Sequence, residues 1–284
     1  GIAELVPGVS GGTIALITNI YEELISSINR VTGKEIVELM GSNRKRAWQK
    51  INGSFLLFLI LGIATSILFL SSIIQFFLEN YALSLWSFFF GLIFASAILI
   101  CKDVKQWSAT TVICLILGGI ISFLIGFLTP AEAIQALPYL ILCGMLMIIA
   151  MILPGISGSF ILVLLGAYET ALSTIDLVRS FQIQGFINLA AFGLGALVGI
   201  KLFARWVEKL FASARDKLLT TMSGFMFGSL YKVWPWTQQL PHSSTDRFFI
   251  MPKISLSNSD FCIGLFFIML GISTIYVFHR LSKN

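Results

Sequence analysis

Two short stretches of this chain carry residues that could do chemistry. "PGVSGGT" at 7–13 and "PGISGSF" at 154–160 each combine a proline, glycines and hydroxyl side chains in one turn. Proline stops a helix that arrives from its N-terminal side, yet it is tolerated in the first turn of a new one. Glycine permits sharp bends and close approach of the backbone to a ligand. A helix starting just after such a turn offers unpaired N–H groups and the positive end of its dipole. Ser10, Thr13, Ser157 and Ser159 would add hydroxyl donors. The chemistry of the set is capture of an anion, a phosphate or a carboxylate. Pro7, Gly8, Ser10, Gly11, Gly12 and Thr13 form the first candidate site, and Pro154, Gly155, Ser157, Gly158 and Ser159 the second. The competing reading is that small residues only let helices pack closely, as they do in membranes.

The elements that must position these turns are set by composition. Of 284 residues, 57% are hydrophobic and 12% charged, with mean hydropathy +0.90. Soluble domains carry about a quarter charged residues, so this chain must face lipid. Runs at 55–78, 81–100, 108–129, 185–200 and 261–278 approach the ~20 residues that cross a hydrocarbon core. The expectation is one all-α polytopic membrane domain over 1–284. Irregular backbone at membrane depth is tolerated only where it is buried in protein or lines a watery cavity. Each Pro-Gly turn therefore reads as the tip of a re-entrant helical hairpin.

The turns belong to a repeat. Residues 4–28 match 151–175 without a gap at an offset of 147, and a second block matches at an offset of 133, pairing Gly91 with Gly224. A weaker echo pairs Gly118 with Gly271. The halves are 1–129 and 137–284. An apolar run at 137–153 precedes the second turn where the first has six residues, so a matching run is expected ahead of Gly1. The polar linker 29–52 holds six Lys and Arg and is placed in the cytoplasm by the positive-inside rule. If 138–175 crosses once, 12 Lys and Arg fall inside and 7 outside; if it enters and returns, the split is 15 to 4. The second count is the better one. Each half is then one hairpin plus three transmembrane helices, and three being odd, the repeat is inverted. Such repeats place a substrate site at their interface near mid-membrane, with the halves rocking to expose it to either side.

Charges inside apolar sequence are expensive and usually functional. Glu4, three residues before the first turn, reads as a proton carrier, a cation ligand or a partner for a buried base, against a charge at a frayed end. Glu22 and Glu169, each after a tyrosine and twelve residues beyond a turn serine, would lie ~18 Å along a continuous helix and anchor at the interface. Lys201, Arg205 and Lys209 share a helix face and either guide an anionic head group or snorkel to the surface. Tyr231, Trp234 and Trp236 read as an outer aromatic belt. His242 and His279 accompany no nucleophile or ligand set, and the four cysteines show no metal or disulfide spacing. No catalytic residue, metal or cofactor is expected, and no nucleic-acid partner.

The stretches "ELVPGVSGGTIALITNIYEELI", "MILPGISGSFILVLLGAYETAL" and "GFMFGSLYKVWP" resemble the polyprenyl-phosphate transporter family (PopT-like), over most of the chain. The resemblance implies a multi-pass protein of the bacterial cytoplasmic (inner) membrane and not an enzyme. It implies movement of undecaprenyl phosphate, the carrier lipid of cell-wall biogenesis, from the outer to the inner leaflet. Its partners would be that lipid and the bilayer. Glu4 stands where the resemblance expects an acidic residue, and is the candidate for proton coupling. A small-anion channel or exchanger would use similar helix starts. An intramembrane lipid-phosphate phosphatase would want a nucleophile with a nearby His or Arg, and the turns contain neither.

Overall fold

The computed structural model describes residues 10–41, 43–128, 130–132, 134, 136–236 and 258–283. Among these residues every element is helical. In chain order they are α1 (Gly11–Ile17), α2 (Tyr21–Arg30), α3 (Gly33–Met40), α4 (Arg44–Lys50), α5 (Gly53–Asn80), α6 (Ala82–Lys102) and α7 (Ala109–Ile125). There follow α8 (Leu137–Ile152), α9 (Gly158–Leu164), α10 (Tyr168–Arg179), α11 (Ile183–Ser229), a 3-10 turn (Leu230–Val233) and α12 (Asn258–Lys283). Large apolar side chains stay on the outside of the long helices: Phe58 is 72% exposed, Leu197 67% and Phe266 64%. Patches of that kind on a protein surface need an apolar medium against them.

Three helices among the described residues are long and apolar enough to cross a membrane: Ala82–Lys102, Ile183–Val233 and Ser259–Leu281. Counting two sharply bent helix pairs as one span each raises the number to five. The six expected full spans exceed these numbers among the described residues: α7 has only 17 residues, and α11 is two helices joined across a kink at Ala214 (φ −148°, ψ 44°), here counted as one.

That break has a counterpart. Tyr81, the residue between α5 and α6, has φ −138° and ψ 41°, and it precedes Ala214 by the offset of 133 that aligns the second repeat block. The helices that follow the Pro-Gly turns also end alike. α1 stops at Asn19, with φ 59°, and α9 at Gly166, with φ 62°, 147 positions apart. Ile20 N–H donates to Ala15 O and Asn19 N–H to Leu16 O; Ala167 N–H donates to Leu162 O and Gly166 N–H to Val163 O. Both are left-handed caps that satisfy carbonyls the helix leaves unpaired.

These caps correct two expectations. The path from Ser10 to Glu22 is not a continuous helix, and between α9 and α10 the chain turns through 108°. Tyr21, beside Glu22, is no exposed anchor either: it is 1% exposed, packs against Phe211 and belongs to the main core with Ile25, Ile93, Val207, Met222 and Met226. Nor is 29–52 a plain linker, since it folds into the end of α2 and the whole of α3 and α4.

The long helices touch through glycines. A Cβ on Gly91 of α6 would lie 2.1 Å from the carbonyl oxygen of Ile268 in α12, and one on Gly271 of α12 would lie 2.2 Å from that of Phe88. In the other pair, Gly224 of α11 meets Leu115 of α7 at 2.2 Å and Gly118 of α7 meets Thr221 at 2.5 Å. The repeat offsets carry each member of the first pair onto a member of the second. α6 with α12, and α7 with the last part of α11, therefore cross in the same register. α8 packs on the first part of α11 in a similar manner, through Gly144, Gly195 and Gly199.

Candidate functional site

Proline at 154 ends α8 one residue after its C-cap, Leu153, and leaves the last carbonyls of that helix without partners. The first Pro-Gly turn supplies one. Ser10 Oγ lies 3.1 Å from the carbonyl oxygens of both Met151 and Leu153, and it accepts the N–H of Gly12 at 3.2 Å as the N-cap of α1. The approach is close enough that a Cβ on Gly12 would sit 2.2 Å from Ile152 O. The start of α1 and the end of α8 are thus one contact, between the stretch that holds the first turn and the residues just before the second.

The two turns differ in what they leave available. Ser10 is 2% exposed and Thr13 1%, and Gly12 is buried against α8. At the second turn Ser157 caps α9 without a side-chain bond to its backbone. Its hydroxyl is 2.8 Å from that of Ser159, and Ser159 is exposed. Gly155, at φ 81°, occupies the left-handed region, and a Cβ there would meet Phe225 O at 2.7 Å. Gly158 lies under Met147 and Met151 of α8. The exposed hydroxyl is therefore on the second turn, paired with that of Ser157, while Ser10 of the first ties α1 to the end of α8. Glu4, Pro7 and Gly8 lie outside the described residues, as does His242.

α9 returns along α8. Tyr139 Oη donates to Leu165 O at 2.7 Å, Ala131 N–H donates to Leu164 O at 2.8 Å, and Leu140 and Cys143 pack with Leu162 and Ala167.

The undecaprenyl phosphate translocase-like family matches residues 1–247. The chain belongs to this family. It is 38% identical over 240 residues to a polyprenyl-phosphate transporter of Vibrio cholerae, covering 84% of this chain and 76% of the relative. It is 30% identical over 247 residues to a polyprenyl-phosphate transporter of Staphylococcus aureus, covering 83% of each. No solved structure matches the chain. As a member of the translocase-like family it is a transporter rather than an enzyme.

The charged candidates in this translocase-like chain are not all at the turns. Lys201 Nζ donates to Ile28 O at 2.5 Å and is 3.3 Å from Asn29 O, so it holds the C-terminus of α2, where a cation also suits the helix dipole. Arg205 and Lys209, on the same face, are exposed. Glu22 pairs with Arg215 at 3.5 Å, just past the break in α11, whereas Glu169 is exposed in the first turn of α10. Tyr231 packs on Phe123 and Phe127, and Trp234 and Trp236 pack on Phe90 and Phe261, so these aromatics join helices.

One residue was passed over in the sequence. Lys232 Nζ stands 3.4 Å from the ring centroid of Phe160, the residue that follows Ser159. Its only sequence signal is a lysine inside the apolar stretch "GSLYKVWP".

Proposed function

We propose that this protein carries a polyprenyl phosphate, undecaprenyl phosphate being the first choice, from the outer to the inner leaflet of a bacterial cytoplasmic membrane for reuse in cell-wall biogenesis. The phosphate head is bound where the two Pro-Gly turns meet, and the tails stay in lipid. Helix-start N–H groups and the hydroxyls of Ser157 and Ser159 replace the hydration that the head loses. The observation that carries the reading is the seat of Ser10 on the carbonyls of Met151 and Leu153, which joins the start of α1 to the residues that lead into the second turn. The names of the relatives support the substrate class.

The architecture that goes with it is an inverted repeat, 1–129 and 137–284, each half one re-entrant hairpin and three transmembrane helices. The matched left-handed caps at Asn19 and Gly166, the matched junctions at Tyr81 and Ala214 and the crossed glycine contacts support it. The return of α9 along α8 supports the hairpin. Glu4 is the candidate for coupling to protons.

The test is transfer of labelled undecaprenyl phosphate between leaflets of proteoliposomes, with and without a proton gradient. The full chain moves the lipid, and Ser157→Ala/Ser159→Ala slows it about tenfold or more, the loss expected for hydrogen bonds to a charged group. Movement by the folded double variant at the parent rate would sink the site. No movement by the folded parent in either condition would favour a path for small anions.

A further inference from the structure

Lys232 ends a helix in an apolar, aromatic setting. Its stem lies against Gly126, at the end of α7, where a Cβ would be 3.2 Å from Lys232 Cε. The flanking Tyr231 is stacked on Phe127, and the ammonium rests on the Phe160 ring. Among the described residues no carboxylate pairs with it. A ring face attracts a cation but only partly offsets the loss of water, and an ionisable side chain in a membrane-embedded segment is a functional candidate by default. Seventeen residues separate it from Arg215 along the last part of α11 and the turn that follows, a rise of about 25 Å. Arg215 belongs to the basic stretch assigned to the cytoplasm, so Lys232 stands at the opposite face. Its neighbour Phe160 lies in α9, one residue beyond the exposed hydroxyl of Ser159.

We propose that Lys232 is the cation that receives the lipid phosphate on the outer-leaflet side and hands it to the Ser157–Ser159 hydroxyl pair. The inference rests on the transport reading above and adds to it the residue that supplies the positive charge. The ligand chemistry is a phosphate monoester carried on an apolar chain. The ammonium meets the anion, while Phe160 and Tyr231 face the first carbons of the chain.

The experiment measures binding to the full chain in phosphatidylcholine nanodiscs with two probes, undecaprenyl phosphate and undecaprenol, which lacks the phosphate. Lys232→Met keeps the stem contacts with Gly126 and Phe160 and removes the charge. It melts at or above the parent temperature, because a charge has left an apolar, aromatic site. It binds undecaprenyl phosphate about ten- to a hundredfold more weakly and undecaprenol equally well. Lys232→Arg restores most of the phosphate preference. Parent-like binding of the phosphate by Lys232→Met would overturn the proposal, as would equal loss of both probes. A parent that does not prefer the phosphate to the alcohol overturns the transport reading first, and this inference with it.

Discussion

Gly12 and Gly62 separate two uses of the same residue. A methyl group on Gly12 would press on the backbone oxygen of Ile152, which cannot swing away as a side chain could, while Gly62 in α5 has nothing within 4 Å. Gly12→Ala is expected to cost roughly 1–3 kcal/mol through overpacking. Gly62→Ala is expected to gain about 0.5–1 kcal/mol from lower chain entropy. Thermal unfolding in detergent reads both, and a neutral Gly12→Ala would mean that the two Pro-Gly turns are not in contact. Removal of the ammonium in Lys201→Met should loosen the end of α2 by about 0.3–1 kcal/mol, seen as faster hydrogen exchange at 27–31. At this scale the sequence was informative about which residues cap helices, because Ser followed by Gly after Pro-Gly leaves little else. It was silent on Ser10 reaching the carbonyls of another helix, a contact between positions far apart in the chain. Lys232 was hidden because neighbouring tryptophans suggested an interface, where lysines are ordinary.

Helices α3 and α4 are held by a single buried carboxylate. Glu35 is 4% exposed, accepts from the Lys50 ammonium and the Thr32 hydroxyl, and these donors hold its carboxyl down at about 2 from an ordinary 4.5. A carboxyl whose folded value is depressed stabilises fully above its unfolded value, and that stabilisation fades as pH falls towards the folded one. Protection factors for amides at 33–50, corrected for intrinsic exchange, should hold above about pH 5 and decline between pH 4.5 and about 2. In Glu35→Gln the decline over that window should vanish, and a parent-like decline would place its origin elsewhere. The helices of this segment went unread because six basic residues within 29–52 obscure a short amphipathic pattern. The break at Ala214 was invisible for the opposite reason: "ASARDK" has neither proline nor glycine, and tertiary contacts set the bend. Asn19 and Gly166, by contrast, were legible in principle, as two residue types that tolerate left-handed backbone at equivalent places.

At the scale of the molecule, the crossed pairs make the two proposed halves, 1–129 and 137–284, depend on each other. Gly91→Leu and Gly224→Leu, one on each side of the crossing, should destabilise to similar extents, because each forces a side chain against a backbone oxygen of the opposite half. A chain cut between 129 and 137 should give two pieces that accumulate only when produced together. Survival of either piece alone in the membrane would argue that the crossing is dispensable. The all-helical membrane class followed from composition and the long apolar runs, whereas the crossing needed coordinates, since no periodicity reveals which helices become neighbours. Its consequence is mechanical. Four helices packed backbone to backbone do not part and rejoin with every turnover, so a swing of one proposed half against the other would take these crossings as its pivots. The first place to feel such a swing is the seat of the Ser10 hydroxyl, where the start of α1 rests on the last carbonyls of α8.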